Sequence, residues 1–150
     1  MQRILDLEPL TEMRLMNDKF LVDTCILMYL VDKTAGEKHK KIAEWFSQLN
    51  DKEAFVAIQN LREFANCSLK KTQLTKEETV NFIDLFLNRF NIIQETVFDT
   101  LKAITFSVNR KNFYDSLLAT TMLRNYITTI VTENTKDFEE LGIKTINPLK

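Results

Sequence analysis

The segment FLVDTCILMYLV, residues 20–31, carries the pattern that decides the fold. Its first three residues are apolar and stop abruptly at Asp23-Thr24, which predicts a short buried strand followed by a helix cap. From position 25 to 31 every residue is apolar, so a buried helix is expected directly after the strand. A buried strand that leads directly into a helix is typical of chains with crossover connections.

The alternation of short strands and helices continues along the chain. Four more strands are predicted, at residues 55–57, 92–93, 128–132 and 143–146. Apolar residues at helical spacing predict helices at residues 39–49, 58–69, 80–90, 97–108 and 114–126. The fold class is therefore α/β, with a mostly parallel sheet covered by helices on both faces. Residues 1–18 fit this pattern poorly and are interpreted as an N-terminal extension, which leaves residues 19–150 as one domain.

The composition describes a globular domain and excludes several classes of protein. Apolar residues make up 45% of the 150 residues, which is enough for a core without disulfides or a structural metal. Twenty basic residues are balanced by twenty-one acidic ones, which argues against a polybasic arm and a simple electrostatic DNA clamp. Only two glycines occur, so the Gly-rich phosphate-binding motifs are excluded.

Cysteine and histidine are too few and too scattered to form a zinc site. Cys25 and Cys67 have no CxxC spacing, and His39 is the only histidine. Reduced thiols in a cytoplasmic protein are the expected state. The first ten residues lack the pattern of a secretory signal, and the longest apolar run, at residues 25–31, is too short to span a bilayer. We therefore expect a cytoplasmic protein with no membrane contact.

Two acidic residues lie where predicted strands end. Asp23 follows the first strand directly, and Asp137 lies just past the strand at residues 128–132. In open α/β sheets, ligands bind beyond the carboxyl ends of the strands, so both residues are candidates for a site. Taken alone, Asp23 could as well cap the next helix, and Asp137 could be a surface charge on a turn.

Asp115 is placed by its own helix on an apolar stripe. At 100° per residue it shares that stripe with Leu118, Ala119, Met122 and Tyr126. A carboxylate on a core-facing stripe needs a partner, since an unpaired buried charge is costly. Either a bound cation or a salt bridge to the nearby Arg110 or Lys111 would supply that partner.

Glu63 lies on the side of its helix opposite to a face of apolar and small residues. The residues of that face are Leu61, Ala65, Ser68 and Leu69. Periodicity alone therefore predicts a solvated charge at Glu63.

Four segments, taken in order, resemble the motifs of the PIN-domain nucleases. LVDTCIL at residues 21–27 looks like the strand that opens the family, and IQNLREF at residues 58–64 is similar to its helix with one Glu before an aromatic residue. YDSLLAT at residues 114–120 resembles its Asp-led helix of small residues. VTENTKDF at residues 131–138 resembles its Thr-x-Asn-x-x-Asp-Phe segment, and INP at residues 146–148 is similar to its usual ending.

The resemblance extends over residues 19–148 and implies a PIN-like three-layer α/β/α fold with a metal site. It departs from the family at Cys25, where Asn is more common, and this difference removes no carboxylate. The resemblance reverses the prediction for Glu63. The acids it implies as catalytic residues, and as direct or water-mediated metal ligands, are Asp23, Glu63, Asp115 and Asp137. The supporting polar residues it implies are Thr24, Thr132 and Asn134.

Four carboxylates suit a hard cation such as Mg²⁺ or Mn²⁺, which prefers oxygen ligands and needs no histidine. Without a cation, clustered carboxylates would repel one another and raise each other's pKa values. A bound metal lowers the pKa of a water molecule, orients that water for in-line attack on a phosphodiester and neutralises the leaving oxygen.

The implied function is a Mg²⁺- or Mn²⁺-dependent endoribonuclease. It resembles the VapC-like toxins, which cleave RNA and are held inactive by a small antitoxin protein. The alternative is a non-catalytic PIN-like module that binds RNA or serves as a scaffold, although a scaffold has no need of four acids. A phosphoacceptor receiver domain is a third interpretation, and the paired acids and late lysine that it needs are not found.

Basic residues and one apolar helix are candidates for contacts with partners. With the four site acids set aside, the remaining surface is mildly basic. The helix at residues 80–90 has more apolar residues than one core-facing stripe requires, which indicates either deeper burial within one subunit or an interface. Members of the family that the chain resembles commonly form dimers, so the resemblance implies a homodimer. The candidate contacts for an RNA backbone are Lys38, Lys40, Lys41, Lys70, Lys71, Arg110 and Lys111.

Overall fold

A parallel sheet forms the centre of the computed structural model, which describes residues 19–49, 54–71, 74–107 and 113–150. In these residues the strands are β1 (Phe20–Val22), β2 (Ala54–Ala57), β3 (Asn91–Ile93), β4 (Thr129–Val131) and β5 (Lys144–Ile146). Their order across the sheet is β3-β2-β1-β4-β5, and each neighbouring pair is parallel. The predicted sheet is confirmed, and the extension predicted at residues 1–18 lies outside the described residues.

Helices connect consecutive strands and cover the sheet. They are α1 (Thr24–Val31), α2 (Glu37–Ser47), α3 (Ile58–Lys71), α4 (Lys76–Arg89), α5 (Val97–Phe106), α6 (Phe113–Arg124) and α7 (Thr135–Glu139). None of these described helices combines the length and the apolar character that crossing a membrane requires.

The alternation of side chains along each strand divides the core into two clusters, one on each face of the sheet. On β1, Val22 packs in the cluster that contains residues of α1 to α4, and Leu21 packs in the cluster that contains residues of α6 and α7. On β4, Val131 and Ile130 divide in the same way. Helices therefore cover both faces of the sheet, and the predicted three-layer α/β/α class is confirmed.

The structure has a helix, α5, where the apolar stripe at residues 97–108 predicts one, but the described side chains of that stripe are exposed. Val97 is 76% exposed, Leu101 58% and Ile104 60%. Asp99 and Ala103 are the buried side chains of α5. The reason is that the capping box formed by Thr96 and Asp99 directs the Asp99 carboxylate inward, to the guanidinium of Arg124 on α6.

Candidate active site at the carboxyl ends of the strands

The four predicted acids are carried by four separate helical segments. Asp23 follows β1 directly and caps α1, and Glu63 lies in the second turn of α3, which begins where β2 ends. Asp115 lies in the first turn of α6, and Asp137 lies in the first turn of α7, just beyond β4. β1 and β4 are neighbours at the centre of the sheet, so their carboxyl ends bring Asp23 and the β4–α7 loop together.

Asp23 is buried, and both of its carboxylate oxygens accept hydrogen bonds. The backbone N–H of Thr24 donates to Oδ1 at 2.8 Å, and the hydroxyl of Thr132 donates to Oδ2 at 2.7 Å. Burial raises the pKa of Asp23 above its ordinary value, against the lowering effect of these two hydrogen bonds, and the charge of Glu63 raises the pKa further. The side chain is therefore fixed in one orientation and destabilised in its charged form when no cation is bound.

Glu63 is half-buried and accepts a hydrogen bond on each oxygen. The hydroxyl of Thr24 donates to Oε2 at 2.7 Å, and the amide of Gln59 donates to Oε1 at 3.1 Å. Asn60 supports this arrangement, since its amide nitrogen donates to the Thr24 hydroxyl at 3.2 Å and its amide oxygen accepts from the Ala57 N–H at 3.0 Å. The solvated position that periodicity predicts for Glu63 is wrong, because these contacts draw its carboxylate toward α1.

Asp115 is partly buried, and within the described residues no donor contacts its carboxylate. Burial raises its pKa to about 6, with further contributions from the negative charges of Asp137, Asp23 and Glu63. Asp115 is thus close enough to each of the other three acids to interact with it electrostatically. The alternative partners for Asp115, Arg110 and Lys111, lie outside the described residues.

The β4–α7 loop places two of the predicted supporting residues beside Asp23. The Thr132 hydroxyl donates to Asp23 and also accepts the backbone N–H of Asn134 at 3.0 Å. Between them, Glu133 accepts hydrogen bonds from Tyr29 at 2.5 Å and from Lys38 at 2.6 Å. The loop is therefore held to β1 by Thr132 and to α1 and α2 by Glu133.

Cys25 lies at the position where the resemblance departs from the family. Its Sγ is 3.8 Å from Asp23 Oδ2 and 3.8 Å from Thr132 Oγ1. Burial, together with the charge of Asp23, raises the pKa of this thiol to about 11, so it is protonated at neutral pH. A neutral thiol donates only a weak hydrogen bond, and Cys25 therefore supports Asp23 less strongly than an amide would.

The residues of the site fit a hard divalent cation by their chemistry. In the part of the chain that the structure describes, no three acidic, cysteine or histidine side chains lie close enough together to hold a metal ion. Mg²⁺ is usually held by only one or two carboxylates and keeps several waters, so a closed protein cage is not required. The raised pKa values of Asp23 and Asp115 belong to carboxylates that lack a compensating positive charge, which a divalent cation would provide.

Three polar residues of the site region were missed in the sequence. Gln59 and Asn60 precede Glu63 by four and three residues, a spacing that places side chains on neighbouring faces of a helix and could have identified them. Glu133 gave no such signal, because its partners Tyr29 and Lys38 are about one hundred residues away in the chain.

Comparisons with known proteins identify the same fold. The profile of the PIN domain family matches residues 20–144. No sequence among the curated proteins matches the chain.

Three solved structures show the extent of the structural similarity. DNA-bound VapBC from Salmonella typhimurium is 22% identical, with a TM-score of 0.62 over 87% of this chain and 98% of that one. FitAcB from Neisseria gonorrhoeae is 14% identical, with a TM-score of 0.62 over 86% and 97%. VapC20 from Mycobacterium tuberculosis, described as a toxin that cleaves the sarcin-ricin loop, is 13% identical, with a TM-score of 0.60 over 75% and 87%. At these identities the similarity establishes the fold.

Proposed function

The chain belongs to the PIN domain family, and on this basis we propose that it is a Mg²⁺- or Mn²⁺-dependent endoribonuclease. The observation that carries the proposal is the electrostatic coupling of Asp115 to Asp137, Asp23 and Glu63. Burial and the negative charges of these three acids raise the pKa of Asp115 and so disfavour its charged form, which a bound divalent cation would stabilise. A protein that served only as a scaffold would gain nothing from this arrangement.

The four acids divide into two groups by their hydrogen bonding. Asp23 and Glu63 are held by donors from Thr24, Thr132 and Gln59, so their oxygens are oriented before any ligand arrives. This preorganisation suits direct metal ligands. When bound, the metal supplies an activated water for in-line attack and neutralises charge on the leaving oxygen of the phosphodiester.

Asp115 and Asp137 complete the proposed site as direct or water-mediated ligands. In the absence of metal, burial and the charges of the neighbouring acids raise the pKa of Asp115 to about 6, so its charged form would gain from a bound cation. Metal binding would lower this pKa and favour its charged form as a ligand. We assign catalytic roles to Asp23, Glu63, Asp115 and Asp137, and supporting roles to Thr24, Thr132 and Asn134.

An open cleft beside Asp137 supports RNA as the substrate. Its volume is about 390 Å³, and its lining includes Asn134, the two lysines Lys136 and Lys150 and the two acids Glu133 and Asp137. Lysine side chains neutralise phosphates without reading sequence, so this cleft suits a nucleic-acid backbone next to the acids. Among the similar structures, VapC20 is described as a toxin that cleaves the sarcin-ricin loop.

Partners follow from the same comparisons. A similar structure from Klebsiella pneumoniae is described as a toxin–antitoxin complex, and we propose a small antitoxin protein as the partner of this chain. A homodimer is proposed because large apolar side chains remain exposed on α4 and α5. An RNA substrate and the free thiols of Cys25 and Cys67 suit the cytoplasm, where we place the protein.

Metal-dependent cleavage of RNA tests the proposal. Purified protein incubated with a single-stranded RNA should cleave it in Mg²⁺ or Mn²⁺ and should stop when EDTA is added. Cleavage that persists undiminished after complete chelation would overturn the metal mechanism. Metal-dependent binding of RNA without cleavage would support a non-catalytic module instead.

A further inference from the structure

We propose that Gln59 is a positioning residue of the metal site, which fixes the carboxylate of Glu63 relative to the start of α6. This inference rests on the proposed function, and it gives a role to a residue that lies within the IQNLREF motif but is not among the predicted catalytic or supporting residues. It follows from the contacts of one buried amide group.

The Gln59 amide links the segments that carry two of the site acids. Its Nε2 donates to Glu63 Oε1 at 3.1 Å and to the backbone carbonyl of Tyr114 at 3.3 Å. Tyr114 immediately precedes Asp115 in the first turn of α6. Gln59 is only 9% exposed, and its side chain extends from α3 to the start of α6.

The orientation of this amide is determined by its neighbours. Both groups that it contacts are hydrogen-bond acceptors, so the amide nitrogen must be directed at Glu63 and at the carbonyl of Tyr114. The amide oxygen of Gln59 is buried and has no donor within the described part of the chain. A side chain that served stability alone would not leave a buried acceptor unpaired, since an apolar side chain of the same size avoids that cost.

The effect on Glu63 is to fix its carboxylate without reducing its charge. Thr24 donates to one oxygen and Gln59 to the other, and both donors are neutral. Each carboxylate oxygen has a second lone pair that remains available to a cation. Hydrogen bonds of this kind orient metal ligands, and their loss typically weakens metal binding about 10- to 100-fold.

The substitution Gln59→Met tests the inference, because methionine is similar in length and volume and donates no hydrogen bond. We expect the dissociation constant for Mn²⁺ alone, measured by calorimetry or by electron paramagnetic resonance, to rise about 10- to 100-fold. The melting temperature of the metal-free variant should change little, because the substitution removes a buried amide oxygen without a donor along with the two hydrogen bonds. Gln48→Met, at an exposed glutamine beyond α2, is the matched control and should leave Mn²⁺ binding unchanged.

Two results would overturn the inference while leaving the proposed function intact. One is wild-type Mn²⁺ affinity in Gln59→Met, and the other is a lowered melting temperature with unchanged Mn²⁺ affinity, which would assign Gln59 to the fold. Gln59→Asn keeps the amide but shortens its reach by one methylene, and it provides the same test if the Met variant does not fold. A wild-type protein that binds no Mn²⁺ would overturn the proposed function itself.

Discussion

The hydroxyl of Thr132 donates to Oδ2 of Asp23 at 2.7 Å, and this bond joins the carboxyl ends of the two central strands, β4 and β1. The same hydroxyl accepts the backbone N–H of Asn134 at 3.0 Å. One side chain therefore orients a site carboxylate and fixes the loop that leads to Asp137. The geometry of the site depends on this pair before any metal is bound.

Substitution of Thr132 by valine keeps the shape of the side chain and removes its hydroxyl. Asp23 and the Asn134 N–H would each lose a partner, so we expect the free energy of unfolding to fall by roughly 1–3 kcal/mol. Mn²⁺ affinity should fall as well, because the Thr132 bond lowers the pKa of Asp23. Urea unfolding and Mn²⁺ titration would measure both effects.

Two controls accompany the valine variant. Thr132→Ser keeps the hydroxyl, so its free energy of unfolding and its Mn²⁺ affinity should both stay close to those of the wild type. Thr145→Val removes an exposed hydroxyl that donates to Glu139 and should change stability by less than about 0.5 kcal/mol. Equal effects at positions 132 and 145 would contradict the role given to Thr132.

The raised pKa of Asp115 makes the stability of the metal-free protein depend on pH. An unfolded aspartate ionises near pH 4, whereas folded Asp115 ionises near pH 6, because burial and three neighbouring acids disfavour its charge. Its contribution to stability is therefore complete below about pH 4 and is lost as the pH rises through 6. The loss should be roughly 1–2 kcal/mol after allowance for solvent screening.

Chemical denaturation from pH 4 to pH 8 measures this dependence, with Asp115→Asn as the reference. The stability of the wild type relative to the variant should decline across this range in EDTA, and added Mn²⁺ should reverse the decline. If the difference in the free energy of unfolding between wild type and Asp115→Asn stays constant with pH, Asp115 has an ordinary pKa.

Asp99 and Arg124 form an ion pair that is expected to act on stability alone. Arg124 Nε donates to Asp99 Oδ1 at 2.9 Å, Nη2 donates to Oδ2 at 2.9 Å, and Asp99 is 3% exposed. Burial raises the pKa of Asp99, but the hydrogen bonds from Arg124 and Thr96 outweigh it and hold the pKa below its usual value. Arg124 lies nine residues beyond Asp115, or about 13 Å along the helix axis.

The substitution Arg124→Met should therefore lower the free energy of unfolding by about 1–3 kcal/mol, since it leaves a buried carboxylate without its cation. RNA cleavage per folded molecule should not change. Lys40→Met is the matched control, because it breaks an exposed pair with Glu37 at 3.7 Å and should cost less than about 0.5 kcal/mol. Loss of cleavage in folded Arg124→Met would show that the pair also serves the site.

Self-association is expected through an exposed apolar helix face. The sequence predicts the interface on the helix at residues 80–90, where Leu87 is 50% exposed. The structure shows a second exposed apolar face on α5, where Phe98 is 81% exposed. Because α5 exposes the larger side chains, Leu101→Glu should shift a dimer toward monomer in light scattering. Leu87→Glu is the matched variant on α4, and an effect of that variant alone would assign the interface to α4. A wild-type protein that is strictly monomeric at high micromolar concentration would contradict an interface on either helix.

The sequence was informative where local pattern and tertiary environment agree. Asp23 could be placed because an apolar strand ends abruptly before it, and the order of strands and helices was sufficient for an α/β sheet. On α6, Leu118, Ala119 and Met122 are all buried as the stripe predicts. Tyr126, the fourth member of that stripe, is 83% exposed because the helix ends at Arg124 and Tyr126 adopts a left-handed backbone conformation with φ of 60°.

The contacts that orient the acids could not be read from periodicity. Glu63 appears solvated on its own helix, because the groups that bind it include Thr24, which is 39 residues away on α1. Asp99 lies next to an exposed stripe, and only the packing of α5 against α6 identifies Arg124 as its partner. Such pairs depend on how two elements meet in space, and a single helical pattern contains no information about that.

The most direct test of the four-acid site is the RNA cleavage rate of Asp115→Asn per folded molecule, compared with wild type at saturating Mn²⁺. The substitution keeps the shape of the side chain and removes a charge, so the rate should fall by roughly two orders of magnitude or more. The metal-free variant should melt at the same temperature as the wild type or higher, because one member of a repelling cluster is neutral. A normal cleavage rate accompanied by a large drop in melting temperature would contradict the account and assign Asp115 to a structural salt bridge.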